Sequence, residues 1–187
     1  MRNLVIVDVQ TLFLASREEY GPLARVDYVK LRELFEDSTT DDVTKVAYVL
    51  ASPYHDDKRF VRFLKKNGYA VIKKNAQITH STDSADSADE VILKSRSWID
   101  SMVWESVKMI PRYDSIYIVS GNGLFCSVAN AAKQQNKKVN VISFRSCLQE
   151  HLASLADEVI YLDNNYLFDS NLVRLRNQEL ENVGTST

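Results

Sequence analysis

Two kinds of segment alternate along the chain. Several apolar runs are continuous, which is typical of strands buried on both faces. Patterns with helical spacing lie between them. The order predicts an α/β fold, a mainly parallel sheet of about five to six strands with helices on both faces, as in a Rossmann-like three-layer sandwich. The predicted strands are Leu4–Val9, Lys45–Ala51, Tyr69–Lys74, Ser115–Ser120, Lys138–Phe144 and Glu158–Leu162, and the predicted helices are Tyr28–Phe35, Lys58–Asn67, Trp98–Ile110, Phe125–Gln135 and Cys147–Ala156.

The length of 187 residues fits one domain with a short tail. We expect a domain over residues 1–165 and a tail or terminal helix over 166–187. Residues 77–90 read QITHSTDSADSADE and interrupt the alternation as an acidic polar insertion. It could be a flexible loop or the capped start of a helix, since Asp83 and Ser84 are good N-cap residues. A solvated segment is favoured over a metal site, because the carboxylates lack the glycine and the ligand spacing of a calcium loop.

Composition limits the classes of function. The 23 basic and 25 acidic residues nearly balance, so any nucleic-acid contact must be a local patch. The chain has neither a signal-peptide pattern nor an apolar run of the ~20 residues that cross a bilayer. Cys126 and Cys147 lie far apart, without a metal-binding pattern. These features predict a cytoplasmic protein with no membrane partner.

Basic residues are concentrated in two acid-free stretches, 58–82 and 133–145. Aromatic residues interrupt the first stretch, and helical spacing separates its basic face from an apolar face. Such stretches could bind phosphates, although an ordinary solvated helix face is the alternative. The predicted nucleic-acid contacts in them are Lys58, Arg59, Arg62, Lys65, Lys66, Lys73, Lys74, Lys133, Lys137, Lys138 and Arg145.

Polar residues also follow two predicted strands. Asp8 comes at the end of the first, where a carboxylate can bind a hydrated cation or cap a helix. The turn Ser120-Gly121-Asn122-Gly123 follows the fourth strand, and its backbone amides could receive a phosphate; turn formation alone is the alternative. Asp100 lies in the first turn of a predicted helix, a position that favours acids in any case. We expect Trp98 and Trp104, in the same helix, to lie mostly in the core.

Five segments together resemble the NYN domain, a PIN-like ribonuclease fold that includes LabA-like proteins. Residues 7–13, VDVQTLF, resemble the family's opening V-D-G-x-N-L-F, and Ile99-Asp100 resembles its V-D pair. Residues 120–125, SGNGLF, resemble S-G-D-x-D-F. Residues 136–141 and 152–162 resemble G-K-x-V-x-V and L-x-x-x-A-D-x-F-I-x-L. The resemblance extends over about residues 3–163.

The resemblance implies a ribonuclease whose carboxylates hold Mg²⁺ or Mn²⁺ at the carboxyl edge of the sheet. This chain departs from that pattern. Asn122 and Leu124 replace two aspartates, and Ser106 stands where a further helix aspartate is frequent. Asp8 and Asp100 are the remaining candidate metal and catalytic carboxylates, and Asn122 is a vestigial third member of the site.

The main hypothesis is therefore an RNA-binding protein on a degenerate NYN fold, which binds single-stranded RNA without efficient cleavage and needs no cofactor for binding. Tyr54 or Tyr69 could stack on bases. An active Mg²⁺- or Mn²⁺-dependent ribonuclease is the alternative and needs a substitute carboxylate, such as Asp56, Asp57 or one from the insertion. A third hypothesis is a self-associating structural or adaptor protein, a homo-oligomer that keeps only the fold.

Overall fold

Six parallel strands form a single sheet in a computed structural model that describes residues 1–36, 42–51, 57–75 and 89–168. The predicted α/β architecture is confirmed, and each observed strand overlaps its predicted segment. The strands are β1 (Arg2–Asp8), β2 (Asp42–Ala51), β3 (Tyr69–Asn75), β4 (Ser115–Val119), β5 (Lys138–Ser143) and β6 (Glu158–Tyr161).

The strand order β3-β2-β1-β4-β5-β6 places β1 and β4 side by side at the centre of the sheet. In parallel register, Val7 lies opposite Val119, so β1 and β4 end at the same edge. The chain proceeds outward from β1 in one direction and from β4 in the other. The gap between these two strand ends is the topological switch point, where ligands bind in open α/β sheets.

Six α-helices are present in the described residues: α1 (Val9–Tyr20), α2 (Tyr28–Glu36), α3 (Lys58–Lys66), α4 (Asp89–Met109), α5 (Cys126–Gln134) and α6 (Glu150–Leu155). The sequence patterns missed α1 entirely. The predicted helix Cys147–Ala156 was also too long, because Arg145–Cys147 forms a separate 3₁₀ turn before α6. At the end of α3, Gly68 has a φ of 81°, and this left-handed residue stops the helix as expected.

Side chains of β1 alternate between two hydrophobic cores. Val5 and Val7 pack with α1, α2 and α3 on one face, whereas Leu4 and Ile6 pack with α4, α5 and α6 on the other. All four are fully buried. Burial on both faces explains why the sequence of β1 is a continuous apolar run. It also holds the end of β1 at the switch point, between the two layers of helices.

Helix α4 corrects one prediction about the core. Trp98 is buried and packs edge-on against Tyr48, as expected. Trp104 is 62% exposed and lies under the Lys108 ammonium, so its predicted core position was wrong. Six residues of a helix rotate a side chain by about 240°, which places the two indoles on different faces.

Several sequence predictions concern residues outside the described ranges: most of the insertion 77–90, the tail from residue 169 onward, Tyr54 and Asp56. No helix in the described part of the chain combines the length and the apolar character needed to cross a bilayer.

Candidate nucleic-acid interface

Asp8 ends β1 at the switch point, and its carboxylate is enclosed by hydrogen-bond donors. The Thr11 backbone amide donates to Oδ1 at 3.1 Å, and the Thr11 hydroxyl donates to Oδ2 at 2.5 Å. The Ser120 hydroxyl, from the end of β4, donates to Oδ2 at 3.0 Å. Asp8 is therefore the N-cap of α1 and also the link between the two central strands.

Burial dominates the electrostatics of Asp8. The residue is only 1% exposed, and loss of hydration raises the pKa of its carboxyl above the ordinary 3.8. The hydrogen bonds from Thr11 and Ser120 oppose this rise because they stabilise the charged form. The carboxylate is satisfied by protein donors rather than presented to solvent.

The Ser120-Gly121-Asn122-Gly123 turn follows β4 and largely satisfies its own polar groups. The Asn122 amide donates to the Ser120 hydroxyl at 3.1 Å. The Asn122 side-chain oxygen accepts from the Leu124 amide at 3.0 Å and so caps the 3₁₀ turn Gly123–Phe125. The Asn122 amide, one of those that the sequence suggested for a phosphate, thus has an acceptor inside the turn, and so does the Leu124 amide that follows it.

The segment after β5 packs directly onto this turn. The Gln149 amide donates to the Gly121 carbonyl at 3.1 Å. A side chain at Gly121 would come within 2.5 Å of the Cys147 carbonyl carbon, so only glycine permits the approach. At Gly123 the nearest neighbour is instead the far end of the Gln149 side chain. Segment 145–149 therefore covers the turn at the carboxyl edge.

The other candidate carboxylates do not complete a metal site with Asp8. Asp100 is exposed on α4, and Ser106 is buried and donates to the Met102 carbonyl at 2.7 Å. Over the described ranges, no three His, Cys, Asp or Glu side chains form a group that could hold an ion. A divalent cation prefers several carboxylate and water oxygens, whereas the oxygens of Asp8 and Asn122 here accept hydrogen bonds. Over those ranges, the cluster of carboxylates that such a cation prefers is not formed.

Helix α3 carries the basic surface that the sequence predicted. Lys58, Arg59, Arg62, Lys65 and Lys66 are all exposed. Its opposite face packs into the core through Leu64, which is fully buried, and through neighbouring apolar side chains. Among the described residues, no acidic side chain pairs with either arginine of the helix or with its two final lysines.

The second basic stretch lies elsewhere. Lys138 begins β5, and a strand begins at the amino edge of a parallel sheet, opposite the Asp8 edge. Lys133 pairs with Asp157, and Lys138 lies 3.5 Å from Glu158. Lys137 belongs to the same turn into β5. The structure therefore does not bring residues 133–138 together with α3 in one surface, and it neutralises two of their charges.

The remaining predicted contacts lie at the ends of strands. Lys73 and Lys74 are exposed near the end of β3, where the Lys74 ammonium contacts the Ser101 hydroxyl and the Trp98 ring. Arg145 follows β5 and stacks its guanidinium 3.9 Å from the centre of the Tyr161 ring. Arg145 thus lies at the carboxyl edge, unlike the basic residues that precede β5.

Tyr69 cannot stack on bases, contrary to expectation. It is 2% exposed, and its hydroxyl donates to the Tyr28 carbonyl at 2.8 Å. In the described ranges the exposed aromatic side chains lie elsewhere, on α1, α4 and β6 and after the last 3₁₀ turn: Phe13, Tyr20, Trp104, Tyr161 and Phe168. Exposure of the two on α1 was not predicted, because the helix itself was not; Asp8 as an N-cap was the available signal.

The parallel sheet, its flanking helices and the Asp8 position at the switch point define a PIN-like α/β domain. The family model of the NYN domain matches residues 2–163. The chain therefore belongs to the NYN domain family, which indicates a nuclease-like or RNA-related function.

A solved structure supports the fold. The chain is similar to a protein of unknown function from Vibrio parahaemolyticus, with 24% identity and a TM-score of 0.70. The match covers 89% of this chain and 96% of the other. No curated protein matches the chain. At this identity the likeness is evidence for the fold alone.

Proposed function

We propose that this NYN domain binds single-stranded RNA through exposed cations and does not cleave it efficiently. The observation that carries the proposal is the basic face of α3, whose opposite face packs into the core. Four of its exposed cations have no acidic partner in the described residues: Arg59, Arg62, Lys65 and Lys66. RNA phosphates would supply the missing negative charge.

The state of Asp8 supports the absence of efficient cleavage. A metal-dependent nuclease needs carboxylate oxygens that face the substrate and bind hydrated cations. Here both oxygens of Asp8 accept hydrogen bonds from Thr11 or Ser120, and the side chain is almost fully buried. A cation at these oxygens would compete with the bonds that cap α1 and link β1 to β4.

The first experiment incubates the purified protein with labelled single-stranded RNA, with and without Mn²⁺, and reads native and denaturing gels in parallel. A retarded and uncut band is expected. Mn²⁺-dependent cleavage that is lost in Asp8→Asn would replace the proposal with an active ribonuclease. If the protein neither retards nor cuts RNA but forms a discrete oligomer at micromolar concentration, the adaptor hypothesis would be favoured.

A charge-matched pair of variants locates the binding surface. Arg59→Gln/Arg62→Gln removes two neighbouring charges from α3, whereas Lys133→Gln/Lys138→Gln removes two paired charges from the amino edge. Each phosphate contact contributes about 0.7 to the slope of log K against log salt for single strands. We therefore expect the α3 variant to flatten the slope by about 1.4 and the control to leave it unchanged. Equal effects of the two variants would contradict the assignment to α3.

A further inference from the structure

Three exposed side chains share one face of α1. Phe13, Arg17 and Tyr20 are separated by four and three residues, so they lie within one narrow stripe of the helix. Phe13 is 42% exposed and Tyr20 is 39% exposed. The Arg17 guanidinium lies 4.4 Å from the centre of the Phe13 ring. The stripe thus combines flat apolar rings with a planar cation.

A second pair of the same kind lies beside the end of this stripe. Tyr161, on the edge strand β6, is 41% exposed and carries the Arg145 guanidinium over its ring. The Ser146 amide donates to the Glu19 carboxylate at 3.1 Å, which fastens the segment after β5 to the end of α1. The Tyr20 ring also packs 5.9 Å from Phe144.

The electrostatics of Tyr20 link the two pairs. Partial burial raises the pKa of its hydroxyl, and so do the hydrogen bond to Glu19 and the charges of Glu19 and Asp163, whereas Arg145 opposes them. Arg145 therefore lies near both Tyr20 and Tyr161. The five side chains Phe13, Arg17, Tyr20, Arg145 and Tyr161, here called the aromatic track, run from α1 across to the edge strand.

We infer that the aromatic track is a base-stacking site for single-stranded nucleic acid, distinct from the phosphate-binding face of α3. This inference rests on the proposed RNA binding and assigns the bases to particular side chains. Aromatic faces accept any base, and arginine can stack on a base or contact a phosphate. A surface on which aromatic rings alternate with cations is typical of proteins that bind single strands with little sequence preference.

The two arginines of the track are suited to an anionic ligand. Neither Arg17 nor Arg145 forms an ion pair in the described part of the chain. The two acids beside the track are engaged by backbone amides: Glu19 accepts from Ser146, and Asp163 accepts from Asn165 at 2.9 Å. Both carboxylates keep their charge close to the track, so what the track offers to an anionic ligand is the two unpaired guanidinium groups rather than a net positive charge.

The test compares two probes of equal charge, a short oligouridylate and an abasic oligomer of the same length. The variant Phe13→Leu/Tyr161→Leu keeps apolar volume at both ends of the track but removes two ring faces. Trp104→Leu is the matched control, because Trp104 is an exposed aromatic residue under a cation outside the track. Tyr161→Phe, made with Phe13 intact, keeps stacking without the hydroxyl.

The wild-type protein should bind oligouridylate more tightly than the abasic oligomer. The double leucine variant should weaken oligouridylate binding by about fivefold or more per lost ring and leave abasic binding nearly unchanged. Trp104→Leu and Tyr161→Phe should behave as wild type. The variant Arg59→Gln/Arg62→Gln should weaken both probes similarly and so retain the base preference.

Each other outcome identifies which proposal fails. If the double leucine variant binds both probes as wild type does, the stacking site is wrong while RNA binding stands. If the wild-type protein binds neither probe, both proposals fail. If the leucine substitutions change self-association on size-exclusion chromatography and leave RNA affinity unchanged, the track is a protein contact instead.

Discussion

Removing the Asp8 carboxylate should destabilise the fold, whereas neutralising it should not. Asp8→Ala removes the N-cap of α1 and the acceptor of the buried Ser120 hydroxyl. Loss of an N-cap costs about 1 kcal/mol, and an unsatisfied buried hydroxyl costs about 1–3 kcal/mol. Because burial of a charge is relieved at the same time, we expect a net loss below the sum of these two costs, about 1–3 kcal/mol.

Asp8→Asn keeps much of the hydrogen bonding. An asparagine oxygen can accept from the Thr11 amide, and its NH₂ group can donate to the Thr11 and Ser120 hydroxyl oxygens. Asparagine is also as good an N-cap as aspartate. The free energy of unfolding should therefore stay within about 1 kcal/mol of wild type under acidic conditions.

The pH dependence distinguishes the two variants further. Because burial raises the Asp8 pKa in the folded state, the native protein retains a proton that the unfolded chain releases above the ordinary 3.8. The folded state binds more protons in that window, so the contribution of Asp8 to stability falls as pH rises through the folded pKa. The asparagine side chain of the Asp8→Asn variant lacks this titration. Relative to wild type, that variant should therefore become progressively more stable from acidic to neutral pH.

Urea unfolding followed by tryptophan fluorescence at several pH values measures these differences, because the buried Trp98 becomes exposed on unfolding. Subtracting the wild-type curve from the Asp8→Asn curve cancels the titration of unaltered carboxylates, such as Asp157, whose pKa is lowered by the Lys133 hydrogen bond. A difference that does not vary with pH would refute the account of Asp8 as a charge destabilised by burial. An Asp8→Ala cost below about 0.5 kcal/mol would refute its role as an N-cap and strand link.

Two further comparisons use matched substitutions within one element. Gly121→Ala should lower stability by about 1–3 kcal/mol, because its methyl group meets the Cys147 backbone. Gly123→Ala meets a flexible side chain and should cost less. Thermal unfolding measures both losses of stability, and equal losses would contradict the packing of segment 145–149 on the turn. Trp98→Ala should cost about 3–5 kcal/mol and Trp104→Ala about 0.5 kcal/mol or less in urea unfolding, since only the first indole is buried; a costly Trp104→Ala would mean that its indole is packed in solution.

The sheet was predictable because β1 and its neighbours are buried on both faces and therefore read as uninterrupted apolar runs. Helix α1 was not, because the apolar run continues past Asp8 into Val9 and hides the change from strand to helix. Exposed Phe13 and Leu14 also blur the helical apolar stripe. The pattern of apolar residues does not reveal the start of a helix that follows a strand without an intervening loop.

The position of the basic stretch 133–138 was predictable from the element order, but its ion pairs were not. Residues that connect a helix to the next parallel strand lie at the amino edge of the sheet, whereas residues that follow a strand lie at the carboxyl edge. That rule separates Lys137 and Lys138 from Arg145 using the predicted element order alone. The pairing of Lys133 with Asp157 could not be foreseen in this way, because it depends on how α5 and β6 approach each other.

Charge balance connects the departures from the family pattern with the closed carboxyl edge. Several carboxylates at one strand edge repel one another and need a cation, whereas a single carboxylate can be satisfied by hydroxyl and amide donors. With Asn122 and Leu124 where the family resemblance implies two aspartates, the glycine turn adds no further carboxylate beside Asp8, Ser120 and Thr11 donate to Asp8, and the Cys147 carbonyl packs onto Gly121. If the proposed function is right, RNA affinity depends on cations that lie away from Asp8, on α3 and along the aromatic track. This separation is why Asp8→Asn should change the pH dependence of stability while leaving RNA binding unchanged or tighter.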